Sequence, residues 1–155
     1  MTKSRTSSSA KLGVRLRIMA KKMFVDLERC IGCWTCAMSC KVFHDLEDDD
    51  YRVTVRTNGS GTGIDRPQGV YPDLHMTWQP IYQKSCTWCA DRQAKGLGPM
   101  CEYECPTEAL AYGDDADPQS AYSQALKRCV DHQYHVFELP DYEGARKGVV
   151  YATKA

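Results

Sequence analysis

Cys30-Ile-Gly-Cys33-Trp-Thr-Cys36-Ala-Met-Ser-Cys40 places four cysteines at gaps of two, two and three residues. This C-x2-C-x2-C-x3-C spacing is the one that holds bacterial-type iron–sulfur clusters. A cubane needs thiolates that converge on its corners, and a tight loop with two-residue gaps turns three of them inward. Gly32 lets the backbone pass close to inorganic sulfur, where its N–H groups can donate. Cys36 and Cys40 are four apart and share one face of a helical turn.

A second group follows downstream: Cys86-Thr-Trp-Cys89, eleven residues, then Cys101-Glu-Tyr-Glu-Cys105-Pro106. Cys101 and Cys105 repeat the three-residue gap, and Pro106 supplies the Cys-Pro ending of the pattern. Only the middle gap is stretched. Residues 90–100, with Gly96, Gly98 and Pro99, are expected to bulge outward as a loop that leaves the ligand ends in place. Where two such runs occur together, the fourth cysteine of each ligates the other cluster. Crossing them gives two 4Fe–4S ligand sets: Cys30, Cys33, Cys36 and Cys105 for one cluster, and Cys86, Cys89, Cys101 and Cys40 for the other. Eight of the nine cysteines are used, and Cys129 stands apart. Zinc prefers two paired C-x2-C hairpins and has no use for a three-residue gap ending in proline. A disulfide framework does not account for the tight runs either.

The rest of the composition fits a small metal-dependent fold. Of 155 residues, 43% are hydrophobic, but that count includes the nine cysteines, and aliphatic runs are short. A thin core of this kind is expected to draw folding energy from bound metal. Lys plus Arg and Asp plus Glu are 20 each, a zero net charge that gives no general attraction to nucleic acid. No run approaches the 18 apolar residues of a membrane span, so no direct membrane insertion is expected. Residues 1–22 are basic and serine-rich, without the apolar stretch of a secretory signal. They are expected to form a disordered extension, or to precede a start at Met19 or Met23, in a cytoplasmic protein. Export in complex with a partner bearing a twin-arginine signal is compatible with this.

Outward from the cysteines, the pattern predicts a strand over 23–27 entering the first loop and an acidic turn over 47–50. It then predicts a half-buried strand over 52–56 with Val53 and Val55 on one face, and a flexible glycine-rich linker over 57–69. A strand over 109–112 should leave the second site. Asp117 is expected to cap a helix with Pro118 at its first position, running to about 129 or 132. Final strands are predicted over 134–139 and 149–152. The expected fold is α+β: a bacterial-type two 4Fe–4S ferredoxin-like domain with pseudo-twofold symmetry over 23–115. It carries inserted loops, including the cysteine-free connection 41–85, and a C-terminal helix–strand extension over 116–155 that packs on the domain or a partner.

Trp34 and Trp88 sit inside the two C-x2-C gaps, where a bulky ring reduces water access. Local packing is the preferred reading of both, ahead of cluster shielding or a docking role. His132 and His135 lack further ligands nearby and read as surface histidines, and Cys129 reads as an inert buried thiol. There is no hydrolytic triad, paired-carboxylate site or phosphate-binding loop.

Beyond spacing, Cys30-Ile-Gly-Cys33…Cys40-Lys41 resembles the opening motif of the iron–sulfur subunits of the dimethyl sulfoxide reductase family of molybdopterin oxidoreductases. Cys89-Ala-Asp91-Arg92, Gly96, Pro99-Met-Cys101 and Cys105-Pro106-Thr107-Glu-Ala109 resemble that family's last motif. Gly113-Asp114…Asp117-Pro118-Gln-Ser120, and Glu138-Leu139-Pro140 to Val149-Val150-Tyr151, are similar to its downstream stretch and tail. The family mostly carries four cluster motifs, so the resemblance implies a shortened version with the outer pair only. Phe43 and His44 stand where the family often has Glu and Asn. The resemblance further implies a non-catalytic electron-transfer subunit whose partner is a large catalytic subunit with a molybdenum or tungsten pterin. A further electron donor or acceptor protein, or a membrane anchor, would be a second partner. The competing readings are a free-standing dicluster ferredoxin that shuttles electrons between enzymes, and a cluster-dependent sensor or scaffold, for which no effector domain is evident.

Overall fold

The structure, a computed structural model, describes residues 20–57, 67–140 and 144–154. The expectations for residues 1–19 and for most of the glycine-rich linker, 58–66, lie outside the described residues.

β1 (Lys21–Asp26) is central, and its composition explains why. Met23, Phe24 and Val25 are all fully buried, a run with no alternation, as a strand covered on both faces requires. It pairs antiparallel with β6 (Leu110–Asp114), Phe24 opposite Ala111, and parallel with β8 (Val149–Thr153), Phe24 opposite Val150. β7 (His135–Glu138) adds to β8, giving the order β6-β1-β8-β7. The two faces separate by the strand period of two. Phe24, Val150 and Ala152 pack against Tyr122, Ala125 and Cys129 of helix α4 (Ala121–Asp131), with the Phe24 and Tyr122 rings edge-on at 6.2 Å. Met23, Val25, Val149 and Tyr151 face the cysteine-bearing loops. Because β8 lies inside this sheet, segment 116–155 shares its core with the segment before it.

A second sheet pairs β2 (Val53–Thr57) with β5 (Trp78–Tyr82). Val53 and Val55 are buried on one face, as their alternation predicts. β5 carries Pro80, which lacks a donor and so fits a two-stranded edge. The Pro80 carbonyl accepts from Tyr151 Oη at 2.7 Å, tying the two sheets together. The expected linker is shorter than its glycines suggest, because Gln68 and Gly69 enter β3 (Gln68–Val70), which forms an exposed hairpin with β4 (Asp73–His75). At Gly69, φ is +100° and any Cβ would lie 2.2 Å from the Asp73 carbonyl oxygen.

The pairing repeats across the two halves. β1 precedes the first cysteine run and β2 follows it, while β5 precedes the second group and β6 follows it. β1 pairs with β6 and β5 pairs with β2, so exchanging the halves maps one pairing onto the other. α1 (Thr35–Phe43) packs on α3 (Met100–Tyr103) between them. The stretched gap 90–100 is not wholly loop: it opens with the short α2 (Ala90–Gln93), held by Arg92 Nε donating to the Gly98 carbonyl at 2.8 Å.

Two further expectations need correction. Helix α4 starts at Ala121, capped by Ser120, whose Oγ accepts from Ser123 N at 3.2 Å. Asp117 instead closes a preceding turn, its Oδ1 accepting from Gln119 N at 2.9 Å and its carbonyl from Ser120 N. Lys21 and Lys22, assigned to the basic extension, belong to β1, and Lys22 Nζ meets Asp115 Oδ2 at 3.1 Å.

Candidate metal centres

The first cysteine run begins where β1 ends. Asp26 is buried there, its carbonyl accepting from Arg29 N and Cys30 N, both at 3.2 Å, while its side chain accepts from Glu28 N at 3.1 Å. Gly32 (φ +68°) and Trp34 (φ +61°) are left-handed, and α1 starts at Thr35 directly after Trp34. Gly32 answers two constraints at once. The backbone requires positive φ, and a Cβ would fall 2.3 Å from Cδ1 of the Trp78 ring.

The eight cysteines border two separate cavities. One is lined by Cys30, Cys33 and Cys36 of the first run with Cys105 of the second group. The other is lined by Cys86, Cys89 and Cys101 with Cys40 of the first run. None of the nine cysteines is in a disulfide. Among the described residues no three His, Cys, Asp or Glu side chains gather tightly enough for a single metal ion.

Backbone amides point at the sulfurs on both sides. Ala109 N donates to Cys105 Sγ at 3.4 Å, and Trp88 N to Cys86 Sγ and Met100 N to Cys89 Sγ at 3.5 and 3.4 Å. In the second group, Trp88 (φ +54°) and Cys89 (φ +51°) are both left-handed. Amide donors of this kind favour thiolate over thiol.

Burial works against the thiolate form. It pushes Cys36 up to about 12, with Cys30 and Cys105 adding to the effect. It pushes Cys40 up to about 11, with Cys86 and Cys89 adding. Cys86 and Cys101 rise for the same first reason. Cys33, the exposed one, is lowered by a hydrogen bond from the Thr35 side chain.

The two sites differ in their walls. Ile31, Trp34, Val55 and Pro80 close the first, and among the described residues no charged side chain lines it. The second holds His44, Arg52, Tyr82 and Trp88. His44 Nε2 lies 3.3 Å from Cys89 Sγ, and Tyr82 Oη donates to Cys101 Sγ at 3.6 Å. Trp88 is buried between Tyr82 and Tyr112, with Arg146 4.7 Å over its ring and donating to the Cys86 carbonyl. Trp34 is 38% exposed and edge-on to Tyr51, so the two tryptophans are not equivalent.

His44, Arg52 and Tyr82 escape a reading of cysteine spacing. The only sequence signal was His44 at a position where the resembling family often has Asn. Cys129 is buried on the far face of the main sheet, its Sγ 3.6 Å from Asp26 Oδ2. His132 and His135 are exposed and line neither cavity.

No family model matches the sequence. It is similar to the B subunit of the anaerobic dimethyl sulfoxide reductase of Haemophilus influenzae, 34% identical over 130 residues covering 81% of this protein and 56% of that one. It is similar to the arsenate respiratory reductase iron–sulfur subunit of Shewanella sp. ANA-3, 33% identical over 119 residues, 64% of this protein and 51% of that one. The B subunit of the polysulfide reductase of Wolinella succinogenes is 27% identical over 161 residues, 70% and 84% of the respective proteins. The chain thus spans about half the length of the first two. Among the described residues no helix is long and apolar enough to cross a membrane. On these likenesses, the protein is similar to iron–sulfur subunits of the dimethyl sulfoxide reductase family.

Proposed function

We propose that the chain carries two 4Fe–4S clusters within a ferredoxin-like fold of pseudo-twofold symmetry. Cys30, Cys33, Cys36 and Cys105 hold one cluster, and Cys40, Cys86, Cys89 and Cys101 the other. The chain relays single electrons to or from a large catalytic subunit with a molybdenum or tungsten pterin. The observation that carries this reading is the pair of cavities, each lined by three cysteines of one group and one of the other. When bound, such a cluster exchanges one electron at a time with little change of shape.

The residues of the chain account for the rest. Backbone amides donate to the sulfurs, Trp88 and Tyr82 shut water from the second site, and α1 joins the walls of the two cavities. The relatives named as reductase subunits support a catalytic partner. Exposed Ile31, Trp34 and Cys33 beside the first site support electron exchange with a protein docked there.

The test is anaerobic purification of the tagged chain from its own host. About eight irons per chain, as two cubanes require, together with a large pterin-containing protein in fixed stoichiometry is the expected result. About four irons would refute the two-cluster assignment. A brown protein that emerges alone would favour a free dicluster ferredoxin.

A further inference from the structure

The second cavity is the more deeply set. Cys40, Cys86, Cys89 and Cys101 are all buried, whereas Cys33 is exposed and Cys30 and Cys105 are half-buried. One-electron reduction adds negative charge to a centre already bearing four thiolates, and burial alone makes that charge harder to hold. The second cavity contains the compensation that the first lacks. Arg52 lines it with its Nε shut off from solvent and without a hydrogen-bond partner. A buried guanidinium nitrogen left unpaired is costly unless an anionic group faces it. His44, just past the end of α1, places Nε2 3.3 Å from Cys89 Sγ.

A cysteine that ligates iron is a thiolate and accepts hydrogen bonds only, so Nε2 must be the donor in that pair. Its bond to sulfur strengthens as negative charge on the sulfur grows. Arg52 presents a guanidinium to the same cavity. Two carboxylates oppose it from the same region, Asp50 acting on Cys40 and Asp91 acting on His44. Both are exposed, where solvent screens them.

We infer that His44 and Arg52 set the reduction potential of the Cys40–Cys86–Cys89–Cys101 centre, holding it above the value its burial would impose, and leave the other centre alone. The inference rests on the two-cluster reading above. An electron taken from a one-electron donor adds one unit of negative charge among the four sulfurs. No bond is made or broken, and no proton is required. His44 and Arg52 meet that charge with a fixed donor and a fixed cation, so they act as positioning residues for the electron.

The experiment uses the full chain, purified anaerobically, with iron and acid-labile sulfide measured first. Chemical reduction with dithionite and redox mediators is then followed by electron paramagnetic resonance for wild type, His44→Phe and Arg52→Met. The expected result is two one-electron waves, one of which moves to more negative potential in both variants while the other stays. His44→Gln, which retains an N–H donor, and Arg52→Lys, which retains the charge, should recover part of the shift. Cys40→Ser should alter the spectrum of the wave that moves, and Cys30→Ser that of the wave that stays. Waves that do not move, that move together, or that move only in the Cys30-dependent centre would overturn the inference. Iron well below the roughly eight atoms of two cubanes would instead overturn the reading beneath it.

Discussion

Cys36 and Cys40 stand one helical turn apart on α1, yet they line different cavities, Cys36 with Cys30 and Cys105 and Cys40 with Cys86 and Cys101. One helix therefore joins the walls of the two cavities by a short covalent path. It follows that Cys30→Ser and Cys105→Ser should damage the same centre although 75 residues of sequence separate them. Cys40→Ser and Cys86→Ser should damage the other. Mössbauer spectra of the four variants would decide this, and loss of one centre in Cys30→Ser but of the other in Cys105→Ser would rule out the crossed wiring.

Gly32 is the loop residue least able to change. An alanine there meets positive φ, which costs about 1 kcal/mol, and a Cβ within 2.5 Å of three ring atoms of Trp78. Gly32→Ala should lower both thermal stability and iron retained at the first centre. Gly32→Ala with Trp78→Ala should recover the steric part and keep the backbone part. A double-mutant cycle with a coupling energy near zero would show that the ring contact does not matter.

How far the sequence was readable depends on whether the deciding interaction is local. The cysteine spacings are local, and each cavity is lined by three cysteines of one group and one of the other. Val53 and Val55 were readable because strand alternation is local too. β5 was not, since Trp-Gln-Pro-Ile-Tyr carries a proline and reads as a breaker, and only pairing with β2 makes it a strand. The place of β8 beside β1 is likewise a contact across more than a hundred residues, invisible to any window. His44 and Arg52 reach the second site only because α1 and β2 carry them there.

Ser120, not Asp117, should be the cap that matters. Ser120 Oγ donates to the Asp114 carbonyl at 2.7 Å and accepts from Ser123 N, joining β6 to the first turn of α4. Ser120→Ala should destabilise the fold by about 1 kcal/mol, the usual cost of a lost helix cap. Asp117→Ala removes one turn bond to Gln119 at an exposed position and should cost about half that or less. Paired urea titrations on the cluster-loaded protein would rank the two, and the reverse order would restore the sequence-based placement of the helix.

The nine cysteines should divide sharply when iron is removed. Cys36, Cys40, Cys86 and Cys101 are counted among the buried residues that pack with Met23, Val25 and Tyr151, so the loops around both cavities are part of the main core. Stripping iron with an anaerobic chelator leaves those sulfurs buried around empty space, and the packing they share should loosen with them. A large fall in melting temperature is expected, with hydrogen exchange rising first in α1 and α3. The far face should hold longer, because Phe24, Tyr122 and Cys129 pack against one another without any cavity cysteine. Cys129→Ala tests the same division from the other side. It removes a fully buried sulfur and its contact with Asp26, so it should cost roughly 1–2 kcal/mol as a small core truncation. Iron content and both cluster signals should remain at wild-type level. Loss of either signal in Cys129→Ala would mean that the main sheet transmits strain from α4 into the cysteine loops, and that the two faces are not independent.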